Sequence, residues 1–287
     1  MRSVVSYVTR VSQLTLILLP ALLISSLPCM GQTDEPSVEK AKEIARQEAK
    51  AVQLFKAMDR KLYRARDAGL KDVYFRHHFK GDGVMADVDF YIAFWWKQPF
   101  RQRVEFQDAA GKALKELPAS LRKNPRSIKW LKSSTEALAH QRLMGLPFET
   151  VYSDYHKSVT ERLVNNELEQ RISLVPRKRK IFNKISIVIR KGLPVEIHKT
   201  SETGREIHLF YRYEKRGKLH LCVGMSNEVA NRVMLDEAYS YITIDDVIVL
   251  QKVTRLSNSG PSKKTTIILE DMKLNQKLPD AFFEPKK

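Results

Sequence analysis

The sequence feature that most constrains the fold is a run of alternating apolar residues between positions 82 and 107. Side chains alternate between the two faces of a strand, so this period of two predicts a strand with one buried face. From position 82 to position 96 such a strand would reach about 50 Å, at about 3.3 Å per residue, and we expect its sheet to curve. The apolar positions are Val84, Ala86, Val88, Phe90, Ile92, Phe94 and Trp96.

The alternation is interrupted at Gln98 and Pro99 and then resumes. Proline has no N–H to donate to a strand ladder, so we place a corner between two antiparallel strands at this point. The apolar face continues beyond the corner at Phe100, Val104 and Phe106. The two strands together would give one sheet face an unusual concentration of large aromatic side chains.

Period-two alternation returns near residue 168 and continues almost to the C-terminus. Short turns separate the apolar runs, which is typical of an antiparallel meander. The segment 72–80 is predicted to be the first strand, and 224–238 is predicted to contain a loop. The meander runs lie at 168–174, 181–189, 195–197, 207–213, 219–223, 245–256 and 264–274.

Two stretches have a helical pattern instead. Residues 37–67 place apolar side chains at spacings of three, four and seven, which predicts an amphipathic helix that ends near Gly69. Residues 112–166 lose the alternation, and we interpret them as a helical insertion that covers one side of the sheet. A segment predicted to be helical also covers 147–163 within that insertion. The prediction is therefore a single α+β domain over residues 37–287.

The first 31 residues have the pattern of a signal peptide. Arg2 and Arg10 give a positive start, residues 14–23 are apolar, and small residues precede a predicted cleavage site after Gly31. The apolar run is too short to span a bilayer comfortably, so we expect export to the periplasm or cell envelope. Residues 32–36 would form a flexible tether. The alternative is a lipoprotein signal, with Cys29 as the lipidated residue. Pro28 disfavours this alternative, because a small residue is expected directly before the lipidated cysteine.

The chain is strongly basic, with a formal net charge of +17 and a pI of about 9.8. An anionic partner or surface is therefore worth considering. The most basic run is Arg177, Lys178, Arg179 and Lys180, between two predicted strands. Two interpretations stay open for it: a solvated hairpin turn, or contact with an anionic membrane surface. Nucleic-acid binding is not expected, since no recognised module is present.

No catalytic or metal-binding pattern stands out. The chain has no nucleophile elbow, no P-loop and no dinucleotide fingerprint, so we expect no enzyme and no cofactor. His77 and His78 are adjacent on a strand and would point to opposite faces. His220 and Cys222 would share a face but lack a third ligand, so no metal site is predicted.

Two motifs resemble those of LolA-like proteins, the outer-membrane lipoprotein carrier and sorting superfamily. Residues 273–283 (KLNQKLPDAFF) are similar to the closing signature of that superfamily, in which the last strand runs into Asn, an acidic turn and a Phe tucked back into the sheet. Residues 96–101 (WKQPFR) resemble its strand–corner motif. One departure is Gln98, where carriers of this superfamily often have Arg.

The resemblance implies an open, strongly curved antiparallel β half-barrel with helices covering its concave face. It also implies a space that holds lipid or lipoprotein acyl chains, with a carrier or sorting role. An acylated protein or an envelope protein would then be a partner. On the long strand and its neighbour, the ligand-binding residues would be Val88, Phe90, Ile92, Phe94, Trp96, Phe100 and Phe106.

Three alternatives remain open from the sequence. The aromatic strand face could simply be core, as most apolar strand faces are. The same fold could serve as a periplasmic sensor or regulatory module that binds a protein partner. It could also be a structural envelope protein whose interior is filled by its own side chains.

Overall fold

The structure is a computed structural model that describes residues 38–81, 85–99, 101–140, 145–230, 232–258 and 263–284. The predicted signal peptide, the tether, Cys29 and Phe100 lie outside the described residues. Within the described part, no helix combines the length and the apolar character needed to cross a membrane.

In the described residues, four α-helices and thirteen strands make up the fold. The helices are α1 (Val38–Lys61), α2 (Ala119–Lys123), α3 (Pro125–Leu138) and α4 (Phe148–Val151). The first seven strands are β1 (Asp72–Lys80), β2 (Asp89–Lys97), β3 (Arg101–Gln107), β4 (Tyr155–Val164), β5 (Glu167–Pro176), β6 (Phe182–Arg190) and β7 (Leu193–Ser201). The remaining strands are β8 (Glu206–Arg216), β9 (Leu219–Val229), β10 (Arg232–Ile244), β11 (Val247–Ser257), β12 (Lys263–Ile268) and β13 (Glu270–Leu274).

The strands form two antiparallel sheets. One has the order β13-β1-β2-β3, and the other runs β12-β11-β10-β9-β8-β7-β6-β5-β4. A single residue, Leu269, separates β12 from β13, and its N–H donates to the carbonyl of Gln251 at 2.8 Å. The end of the chain therefore passes directly from one sheet to the other. The predicted fold class is confirmed: an open α+β antiparallel half-barrel.

Helices pack on both sheets. The α1 helix contacts β4, β7, β9 and α4, and α3 contacts β2 and β3. The buried side chains of α1 are Ala51, Phe55 and Met58, which lie on the apolar stripe seen in the sequence. This helix ends at Lys61, earlier than predicted, because the next residue, Leu62, forms a parallel bridge with His220 of β9.

The prediction of one long strand starting at residue 82 is wrong. The strand β2 begins at Asp89, because the residues before it turn and the N–H of Val88 donates to the carbonyl of Met85 at 2.9 Å. The alternating apolar pattern continues through this turn, so periodicity alone could not reveal it. Residues 82–84 lie outside the described part of the chain.

Two further predictions need correction. The helix predicted over 147–163 is confined to the short α4, because residues 155–164 form β4 and pair with β5 along their whole length. The loop expected within 224–238 is shorter than that segment, because residues up to Val229 belong to β9 and residues from Arg232 onwards belong to β10. In both cases the strands are only partly buried, so their side chains do not alternate clearly between apolar and polar.

The C-terminal motif folds back onto the four-stranded sheet, as the resemblance implied. Asn275 hydrogen-bonds the backbone that precedes β1. Asp280 pairs with Lys97 of β2 at 2.7 Å, and the ring of Phe282 meets Trp95 edge-on at 5.3 Å. The motif therefore fixes the end of the chain against the outer face of β2.

Candidate functional site

The predicted aromatic face is buried and packed. Six of its seven members are described, and all are buried: Val88, Phe90, Ile92, Phe94, Trp96 and Phe106. They divide between two clusters: Phe94 and Trp96 join the main core with α1, and the others pack with α2 and α3. None of the six lines the cavity described next. Contact between this face and a ligand therefore stays a prediction.

A cavity of about 670 Å³ lies against the nine-stranded sheet instead. Its volume falls within the range of about 300–1,000 Å³ that is usual for small-molecule sites. Four neighbouring strands, β7 to β10, supply most of its wall. The apolar and aromatic members of that wall include Ile197, Leu209, Tyr211, Tyr213, Leu221, Met225, Tyr239 and Tyr241.

The opposite wall comes from the segment after α1 and from α4. Tyr63 is fixed there by two backbone contacts, since its N–H donates to the carbonyl of His220 at 2.8 Å and its hydroxyl accepts the N–H of Ile248 at 2.7 Å. The α4 side is fixed by α1, because the N–H of Phe148 donates to the carboxylate of Asp59 at 3.2 Å. The cavity thus lies between a sheet and a helical segment that is fixed by hydrogen bonds.

Six tyrosines line the cavity: Tyr63, Tyr152, Tyr211, Tyr213, Tyr239 and Tyr241. Besides the hydroxyl of Tyr63, three others are bonded to protein groups. They donate from Tyr213 to the carbonyl of Pro194 at 2.8 Å, from Tyr239 to the carboxylate of Glu237 at 2.7 Å and from Tyr241 to the carbonyl of Cys222 at 2.5 Å. A hydroxyl that is satisfied by protein leaves the ring as an apolar surface. The tyrosines therefore make this wall of the cavity largely apolar.

Burial shifts the pKa of several titratable groups of the cavity towards their neutral forms. Burial raises the pKa of Tyr152 and Tyr213 above the ordinary range for tyrosine. The pKa of His140 is lowered, first by burial and then by the nearby charge of Arg66. Its Nε2 lies 2.6 Å from the amide oxygen of Gln102, so Nε2 carries the proton and Nδ1 is the acceptor.

The charged residues of the described cavity lining are cationic. Among the described lining residues, Arg64 and Lys199 are cationic and none is acidic. The guanidinium of Arg64 also forms an ion pair with Asp59. In addition, the Nδ1 atoms of His140 and His220 are buried with no hydrogen-bond partner among the described residues. The cavity thus combines apolar walls with a few polar groups that suit an anionic or hydrogen-bonding head group.

The basic run lies in the turn between β5 and β6, and three of its members have acidic partners. Arg177 pairs with Glu48 at 2.9 Å, and Arg179 pairs with Glu202 at 2.7 Å. Lys180 lies 3.6 Å from Asp154. Exposed pairs of this kind are weak, at about 0–1 kcal/mol, so an anionic surface could compete for these side chains. Membrane contact by residues 177–180 stays a prediction.

Potential metal ligands come together where the sequence analysis did not place them. His220 and Cys222 both line the cavity, but they belong to no group of three potential ligands among the described residues. The one such group in the described ranges is Glu196, His198 and His208, on β7 and β8. The Glu-x-His spacing on one strand was the available signal, because residues two apart share a face.

No protein-family model and no curated protein matches the sequence at a significant level. Among solved structures, a LolA superfamily protein from Nitrosomonas europaea is similar over 82% of this chain and 97% of its own, with 14% identity and a TM-score of 0.37. A DUF1329 family protein from Desulfovibrio piger is similar over 83% of this chain and 98% of its own, with 12% identity and a TM-score of 0.35. The first of these carries the superfamily name that the sequence motifs resemble. At TM-scores this low, neither similarity carries an argument about function.

Proposed function

We propose that the protein binds a lipid, or the acyl chain of a lipoprotein, in the cavity on the nine-stranded sheet and shields it from water. The observation that carries this proposal is the cavity wall, in which buried tyrosines present their rings while protein groups satisfy their hydroxyls. The protein acts by binding and catalyses no reaction. Its role is that of a carrier or sorting factor of the cell envelope.

The chemistry of the lining supports an amphiphile rather than a purely apolar guest. The walls are apolar and aromatic, while Arg64 and Lys199 place positive charge at the same cavity. A carboxylate or phosphate head group would find a cationic partner there, and its chain would contact the rings. Covering ten CH₂ groups would contribute about 8 kcal/mol before the costs of association.

Entry and release would require one wall to move. The α4 wall is the better candidate, because it depends on a short helix held to α1 by Asp59 and by ring contacts of Phe55 with Phe148 at 5.8 Å and Tyr152 at 5.9 Å. The sheet wall is part of a continuous ladder and would lose many hydrogen bonds on opening. Handover would therefore exchange α4 contacts for ligand contacts.

Export is part of the proposal. It depends on the signal-peptide pattern of residues 1–31, with cleavage after Gly31 and no lipid on Cys29. Mass spectrometry of the protein from an envelope fraction would give the N-terminal residue directly. A chain that starts at Met1 or at an acylated Cys29 would contradict this part alone.

The decisive experiment is native mass spectrometry of protein purified without detergent, together with lipid extraction and uptake of a fluorescent fatty acid. Leu209 and Phe210 are neighbours on β8, and only Leu209 lines the cavity. Leu209→Trp fills part of the cavity and should lower fatty-acid uptake by about tenfold or more, whereas Phe210→Trp should bind as the native protein does.

Two outcomes would contradict the proposal. One is a native mass without lipid combined with no uptake of added fatty acid. The other is equal uptake by the folded Leu209→Trp and Phe210→Trp variants. A protein partner that co-purifies in stoichiometric amount, without lipid, would favour a regulatory module instead.

A further inference from the structure

We propose that Glu196, His198 and His208 form a metal site for Zn²⁺ or a similar divalent transition-metal ion on the face of β7 and β8 that points away from the cavity. This site is independent of lipid binding, and the two can fail separately. Its basis is the convergence of two imidazoles and one carboxylate from adjacent strands.

Strand geometry places the three side chains together. Glu196 and His198 are two residues apart on β7 and therefore share a face. His208 is the direct partner of His198 in the β7–β8 register. Ile197, between the first two, points the other way and lines the cavity. The cluster thus lies behind the cavity wall.

The distances suit a shared ion. The ligand atoms of the three residues all lie within 4.8 Å of one another. Nε2 of His198 is 2.5 Å from a carboxylate oxygen of Glu196, and Nδ1 of His208 is 3.8 Å from that same oxygen. A tetrahedral ion with bonds of about 2.0–2.1 Å holds its ligand atoms about 3.4 Å apart, so small side-chain rotations would complete the geometry.

The shortest contact in the cluster joins His198 and Glu196. Nε2 of His198 is buried and has no hydrogen-bond partner of acceptable geometry among the described residues, although the Glu196 carboxylate lies so close. An ion bound by both atoms would hold them about 3.4 Å apart, so binding would exchange this close contact for two bonds to the ion. Ser186 of β6 is the direct partner of His198 in the β6–β7 register. Its hydroxyl oxygen is likewise buried without a hydrogen-bond partner in the described part of the chain.

The surroundings also favour a cation. The second ring nitrogen of His208, Nε2, lies 3.7 Å from the carboxylate of Glu206, and a carboxylate is a common outer partner of metal-bound histidines. Glu228 of β9 is the direct partner of His208 in the β8–β9 register and adds a third acidic residue to this face. In a chain of net charge +17, a local group of three glutamates and two histidines is a distinctly acidic patch.

The ligand set indicates the class of metal. Two imidazoles and one carboxylate suit Zn²⁺ and related borderline ions, whereas Ca²⁺ and Mg²⁺ prefer oxygen ligands. The side chains are partly accessible, with 27% of each histidine and 15% of Glu196 exposed, so an ion could enter from solvent and keep a water as its fourth ligand. The ion would cross-link β7 to β8.

The test is calorimetric titration of untagged, chelator-treated protein with Zn²⁺ alone and with Mg²⁺ alone. The native protein should bind one Zn²⁺ per chain and show no comparable Mg²⁺ binding. His198→Gln and His208→Gln should each raise the Zn²⁺ Kd by about tenfold or more, which is about 1.4 kcal/mol. His208→Cys should keep the binding, since a thiolate is also a Zn²⁺ ligand.

His156→Gln is the matched control, because His156 also lies beside a carboxylate, Glu48, at 3.2 Å but belongs to no three-residue group. Circular dichroism would show that each variant is folded. The proposal is overturned if the native protein binds no Zn²⁺, if His208→Gln binds as tightly as the native protein, or if the loss is the same in His156→Gln.

Discussion

The aromatic side chains of the two sheets differ in how they are packed. On the four-stranded sheet, rings pack directly on rings, as in the Phe75–Phe94 pair at 5.1 Å and the Phe90–Phe106 pair at 5.0 Å. On the nine-stranded sheet, tyrosines from β8 and β10 surround a cavity of about 670 Å³. The aromatic side chains of the first sheet belong to the packed core clusters, whereas the tyrosines of the second border an open space.

In this protein, the concentration of aromatic residues on β2 coincides with tight packing. A cavity instead needs side chains from several strands that stop short of the opposite wall. Tyrosine serves this purpose well, because its hydroxyl can be held by the backbone while its ring stays at the surface of the space. Four predictions would break or sharpen the comparison, from the largest expected effect to the smallest.

Truncating the packed face should cost the most stability. Phe94 is fully buried, so Phe94→Ala should lower the free energy of unfolding by about 3–5 kcal/mol through lost burial and a new cavity. Leu209→Ala, at the existing cavity, should cost about 2 kcal/mol or less because fewer packed contacts are lost. Denaturant unfolding measures both values, and equal losses would remove the distinction between the two sheets.

The packed face should also make stability depend on pH through His77. Burial lowers the pKa of His77 to about 4, while its Nε2 contacts the hydroxyl of Thr135 on α3 at 3.1 Å. The unfolded chain binds this proton near pH 6.5, so the stabilisation is complete above about pH 6.5 and is lost as the pH falls towards 4. The expected loss is about 3 kcal/mol.

Denaturant unfolding at a series of pH values tests this directly. The His77→Gln variant should lack this part of the decline between pH 6.5 and 4, whatever its stability at neutral pH. An identical slope in the native protein and in His77→Gln would show that the decline has another source.

The Asn275 anchor should have a smaller effect on the four-stranded sheet. Its side chain accepts the N–H of Lys71 at 2.7 Å and donates to the carbonyl of Gly69 at 3.2 Å, and its φ is 53°. Asn275→Ala loses both bonds and disfavours this left-handed backbone, so we expect a loss of about 1–2 kcal/mol. Asn275→Gly should lose less, because glycine accepts the conformation. A larger loss in the glycine variant would contradict the backbone part of this explanation.

The smallest effect concerns the surface of the nine-stranded sheet. If the β5–β6 turn contacts anionic membranes, Lys178→Ser should weaken binding to vesicles that contain anionic phospholipid by about 1 kcal/mol at most. Lys218→Ser, in the β8–β9 turn, is the matched control and should change vesicle binding less. Equal losses in a co-sedimentation assay would indicate a general charge effect instead.

Much of the fold could be predicted from the sequence, since period two shows where strands with one buried face lie. The bounds of β1 were predicted correctly, as were the corner after Lys97 and most of the meander. The errors lie before Asp89, where a turn keeps the alternating pattern, and at β4, where partial exposure weakens it. The C-terminal tuck was predicted from the KLNQKLPDAFF motif, whose residues make specific contacts with Lys97 and Trp95.

The candidate sites were harder to predict. The aromatic strand was the visible signal, but its described side chains are core and the cavity is lined by residues from β7 to β10. Likewise, Glu196 and His198 form a recognisable pair, but the approach of His208 depends on the register between β7 and β8.

The sequence by itself determined the antiparallel α+β class and the position of most strands, because these follow from local periodicity and turn residues. Only the tertiary structure decided which apolar face is filled and which is left open. That outcome depends on how closely α1, α3 and α4 approach the sheets and on strand register, both of which join residues far apart in the chain. The cavity and the Glu196–His198–His208 cluster are consequences of those long-range contacts.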